Sequence, residues 1–86
     1  MNPSQGRIVL FWFKPRTEGG PLISRPAIIT QVWNEHCVNL QVFVDGPNDR
    51  DSVALGEAGQ LTVWRTSVRH SDEPAIGAWT WPVREG

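Results

Sequence analysis

Val38-Asn39-Leu40-Gln41-Val42-Phe43-Val44-Asp45 is the stretch whose spacing decides the fold. Val38, Leu40, Val42 and Val44 fall on one side, and Asn39, Gln41, Phe43 and Asp45 on the other. A period of two predicts a half-buried antiparallel strand, apolar toward the core and polar outward. Immediately before it, Asn34-Glu35-His36 is a short polar break of the kind that makes a hairpin turn or bulge ahead of Cys37. Upstream of that break, Pro26 to Trp33 (PAIITQVW) reads as a second strand opened by its proline, with Ala27, Ile29 and Trp33 alternating against Ile28, Thr30 and Val32.

Working outward, Gly6 to Phe13 contains the continuous apolar run Ile8-Val9-Leu10-Phe11-Trp12-Phe13, expected as a strand buried on both faces. Between the two, Lys14 to Arg25 carries Pro15, Gly19, Gly20 and Pro21 and reads as a long loop (14–25). Downstream, residues 45–60 form a surface loop dense in turn formers, with room for one helical turn at Val53 to Leu55. Leu61 to His70 (LTVWRTSVRH) is the fourth strand, with Trp64, Thr66 and Val68 on one side and Val63, Arg65, Ser67 and Arg69 on the other. Gly77 to Pro82 is a short fifth strand ended by proline, and the tail VREG is expected to fray. Five short strands, a long loop after the first and no helical periodicity predict an all-β chain. The leading architecture is a small five-stranded antiparallel SH3-like barrel, and an OB-like barrel is the alternative.

The chain has 86 residues, room for a single small β-barrel domain spanning 1–86 and for a thin core that self-association would support. A net charge of −1 and a pI near 6.0 supply no global positive field for bulk nucleic acid or anionic lipid. No apolar run reaches the roughly 20 residues of a membrane span, and no secretory signal opens the sequence. One cysteine, Cys37, excludes an intramolecular disulfide and fits a reducing cytoplasm. With it, His36 and His70 fall short of a structural zinc site, so neither a metal nor another cofactor is expected. The 45–51 segment fails the EF-hand spacing at Pro47 and Arg50, and phosphate-loop and dinucleotide fingerprints are missing. No nucleophile elbow occurs, and His36 and Cys37, as neighbours on a strand, point to opposite faces, so no catalytic residues are assigned and no enzyme is expected.

Within ordinary totals, two counts stand out: five Trp without Tyr, and seven Arg to one Lys. Trp79 and Trp81 share one side of their strand, where they either fill the core or an interface, or stack on a planar ligand such as a nucleobase. Trp33 and Trp64 carry the same two alternatives. Arg65 and Arg69, four apart, are expected on one face with Ser67 between them, either solvated beside acids or forming a fork for phosphate. Arg16 and Arg25 flank the long loop.

At PAIITQVW, VNLQVFVDGPND, WRTSV and GAWTWP the chain resembles a group of small proteins encoded by tailed bacteriophages and prophages. The resemblance implies a protein acting in the cytoplasm of an infected bacterial host. It also brings in a class of small phage homo-oligomers that sequester the nucleotides used as alarm signals by host defence. The expected function is therefore a non-enzymatic nucleotide sponge and homo-oligomer that binds a small anionic nucleotide. Trp64, Trp79 and Trp81 would stack, Arg65 and Arg69 would neutralise phosphates, and Asn48 with Thr66 would supply hydrogen bonds. Alternatives are a protein–protein module docking on a host or virion component and a nucleotide-cleaving enzyme.

Overall fold

The computed structural model describes residues 2–14, 21–45 and 62–82. Among them are five strands: β1 (Ile8–Phe13), β2 (Ile23–Asn34), β3 (Cys37–Phe43), β4 (Thr62–Arg69) and β5 (Trp79–Thr80). They form one antiparallel sheet in the order β4-β3-β2-β1-β5. The chain is thus all-β with a five-stranded antiparallel sheet. The two outer strands, β4 and β5, do not form a ladder that would close this sheet into the expected barrel. They touch through a single parallel bridge, His70 with Trp79, and one bond from Ser71 N–H to the Trp79 carbonyl at 2.9 Å. The sheet is curled with an open seam.

The inner face is the core. Val9, Phe11 and Phe13 of β1, Ala27 and Ile29 of β2, Val38, Leu40 and Val42 of β3, Val63 and Val68 of β4, and Trp79 are all buried. The period-two reading of β3 is therefore correct, with Val38, Leu40 and Val42 fully buried and Val44 packed against them just past the strand end. Asn34 pairs with Cys37 around the Glu35–His36 turn, and Asn34 Oδ1 accepts the His36 N–H at 2.8 Å, so the polar break is a two-residue hairpin.

Four expectations change. The first strand is not buried on both faces: Val9, Phe11 and Phe13 are buried, whereas Leu10 and Trp12 are half-buried and Ile8 is exposed, because the described residues cover one side of the sheet more fully than the other. The loop expected over 14–25 is shorter, since Ile23, Ser24 and Arg25 pair with Phe13, Trp12 and Phe11. Pro26 lies inside β2 instead of opening it: its missing N–H coincides with the end of the β2–β3 ladder at Ala27–Val42, while the β1 side continues past it. Finally, simple alternation fails in β4, where Val63 and Val68, an odd and an even position, are both buried.

A bulge accounts for this parity change. Leu40 pairs with Arg65 and Val38 with Val68, so Thr66 and Ser67 together oppose Asn39. Ser67 takes a left-handed backbone, φ 54°. Ser67→Gly is expected to leave stability unchanged or raise it slightly, whereas Ser67→Val should lose about 1–2 kcal/mol, the strain of a side chain in that region. Urea denaturation of the two variants checks this, and equal losses would remove the conformational explanation.

Candidate functional site

Residues paired across antiparallel strands share a face. Arg65 pairs with buried Leu40 and so lies on the core side, half-exposed, whereas Arg69 pairs with Cys37 on the outer side. The expectation that the two guanidinium groups share one face is overturned by the bulge between them. The expected grouping of Trp64 with Val68 is overturned by the same extra residue: Trp64 pairs with Gln41 on the outer face and is 55% exposed, and Val63 takes the inward place.

Trp79 and Trp81 do come together, their ring centroids 5.1 Å apart and nearly perpendicular. Trp79 is fully buried between Trp81 and His70, whose ring centroid lies 4.6 Å away, so it is a core residue and cannot stack on a ligand. Its Nε1 has no hydrogen-bond partner among the described residues. Trp81 is half-buried, packs on the core and carries the Arg7 guanidinium 5.4 Å from its centroid. Asn48, Arg16 and the helical turn expected at 53–55 lie outside the described residues. Arg25, flanking the loop, rests 5.9 Å from the Phe13 ring and donates to the Ser24 carbonyl at 3.0 Å.

Trp64, Thr66 and Arg69 therefore remain together on the outer face of β4, and a residue not assigned to the site joins them. Trp33 sits where a second bulge shifts the β2–β3 register between Val32 and Asn34; it projects outward and is 58% exposed. Its Nε1 donates to Asn39 Oδ1 at 2.9 Å. The same oxygen accepts the Thr66 hydroxyl at 3.0 Å and the Ser67 backbone N–H at 2.8 Å. Asn39 is on the outward face, as its position in β3 predicts, yet is only 7% exposed, because these three donors converge over it. One carboxamide thereby fixes an indole, a hydroxyl and the β4 bulge. Asn39 and Gln41 are two residues apart on β3, about 6.6 Å along the strand, so the Trp64 position lies one step from the Trp33 tether. The result is two half-exposed indoles on a polar floor, with Arg69 beyond them.

Two hollows lie elsewhere. At the open seam, a cleft of about 430 Å³ is bounded by Glu35 and His36 at the hairpin tip, His70, Ser71 and Asp72 after β4, and Trp81. A shallower one of about 280 Å³ lies between Arg25, Pro26, Phe43, Val44 and Asp45. Among the described residues, no three His, Cys, Asp or Glu side chains converge to hold a metal ion, and no helix is long and apolar enough to cross a membrane. No protein-family model matches the chain, and neither does any curated protein or solved structure.

Proposed function

We propose that the protein is a non-enzymatic binding module that sequesters a small anionic nucleotide on the outer face of β2–β4. The observation that carries this reading is the pair of half-exposed indoles, Trp33 and Trp64, raised on a floor that Asn39 holds rigid. A base stacked on such a ring gains about 1–3 kcal/mol, and a tethered indole loses little freedom when it does so. Arg69, on the same outward side, offers a guanidinium to phosphate, and Thr66 offers a hydroxyl. In the setting implied by the sequence resemblance, an infected bacterial cytoplasm, that nucleotide is a second messenger of antiviral defence. Association into a homo-oligomer belongs to the same proposal and is measured by light scattering.

The test is uptake from a panel of linear and cyclic nucleotides, followed by heat release and chromatography. Intact nucleotide should be recovered, and Trp33→Ala and Trp64→Ala should each weaken uptake by about tenfold while the fold is retained. Cleaved product would mean an enzyme, and undiminished uptake in both variants would discard this face.

A docking surface for protein is the second reading. It is favoured by Ile8 and Phe43, 57% and 41% exposed, which with Ile28 extend the outer face as an apolar surface beside Trp64. Failure to deplete any nucleotide would leave this reading in place.

A further inference from the structure

The seam cleft is separate from the outer face and has a chemistry of its own. Among the described residues that line it, Glu35 and Asp72 are the only ones with a fixed charge at neutral pH, both negative. Their side chains are 66% and 98% exposed, so they stand at the rim. The rest of the lining is aromatic: the His36 and His70 rings stack with centroids 6.5 Å apart, His36 exposed at 3.5 Å from Glu35 Oε1 and His70 more enclosed at 4.0 Å from Asp72 Oδ1, and half-buried Trp81 joins them. Ser71 and Asn2 add neutral polar groups. A volume of about 430 Å³ is within the range of small-ligand sites and far larger than a single water needs.

Negative rim charges over π-faced walls repel phosphate and carboxylate and attract a cation that can give up part of its hydration shell. The molecule already displays this preference once, in the Arg7 guanidinium lying 5.4 Å from the Trp81 centroid. We propose that the seam cleft is a binding site for an organic cation, a guanidinium or alkylammonium group, held between Trp81 and the imidazoles and neutralised by Glu35 and Asp72. The group comes either from an arginine or lysine side chain of another protein or from a free polyamine. Both share the chemistry that the cleft selects.

The site does not rest on the nucleotide reading, and its test is independent of it. Titrating N-acetyl-arginine methylamide into the ¹⁵N-labelled protein should move the Trp81 indole N–H and the His36 and Ser71 amide signals saturably. Spermidine should move the same signals, and the tighter of the two probes identifies the source. The neutral isostere N-acetyl-citrulline methylamide should leave them in place. Glu35→Gln with Asp72→Asn, at two exposed side chains, should preserve the spectrum and weaken binding about fivefold, the scale of two exposed ion pairs. Trp33→Ala should bind the cation as wild type does, even where it has lost nucleotide uptake. Equal shifts with the citrulline probe, undiminished binding by the doubly neutralised protein, or no saturable shift would each overturn the proposal.

Discussion

Asn39→Ala is expected to destabilise the protein by about 2–4 kcal/mol and to abolish nucleotide uptake with it. The carboxamide oxygen accepts from Trp33 Nε1, Thr66 Oγ1 and the Ser67 backbone N–H. A hydrogen bond contributes about 1 kcal/mol net, and a backbone donor left unpaired in a partly buried place costs more. Removing the shared acceptor also frees the Trp33 indole and loosens the bulge that sets the direction of every residue from Val68 onward. Asn39→Asp keeps an oxygen in the same place for all three donors and should recover part of the loss, although it buries a charge. Urea unfolding of the three proteins separates these terms. A loss under about 1 kcal/mol in Asn39→Ala would show that Asn39 is not the hub of this face.

The second large effect is expected at Trp79. Trp79→Ala should cost about 3–5 kcal/mol, since it empties the largest fully buried side chain and leaves a cavity bounded by β1, His70 and Trp81. Small domains have only about 5 kcal/mol in reserve, so the variant should be largely unfolded at 25 °C by circular dichroism and NMR dispersion. Trp79→Phe should be much milder, because the Nε1 hydrogen has no partner to lose among the described residues. Trp12→Phe gives the contrast: its Nε1 donates to Thr80 Oγ1 at 2.8 Å, so this exchange should cost about 1 kcal/mol for the bond alone. A larger penalty at Trp79→Phe than volume explains would reveal a bond at that nitrogen.

Where side chains simply alternate, the fold was legible from the residues. Val38, Leu40 and Val42 point inward as their spacing predicts, and the polar Asn34-Glu35-His36 break is the turn between β2 and β3. Counting in twos fails wherever an extra residue enters one strand, which happens near Thr30, at Trp33 and at Thr66–Ser67. No glycine marks these bulges. Ser67 takes the left-handed conformation instead, so the sequence carried no punctuation to warn of it. Parity misplaces the candidate site for the same reason: it puts Arg65 and Arg69 on one face and Trp64 beside Val68. Trp79, given the same two alternatives as its neighbour Trp81, went to the core, since β5 lies against β1 with Phe11 opposite Trp79. Trp33 and Asn39 had one available signal, an amide on the polar side of β3 close to a tryptophan at the start of the hairpin turn. Neither residue type alone identifies that tether.

The placement of β5 against β1 also governs when the protein can exist. Phe11 meets Trp79, so the outer edge of β1 is covered only once β5 has left the ribosome, and the place of the largest fully buried side chain stays vacant until then. Everything before that moment has an unfilled pocket and two exposed strand edges. Synthesis of β5 therefore commits the whole sheet at once, and chains that stall or are clipped shortly before Trp79 present that open edge to proteases.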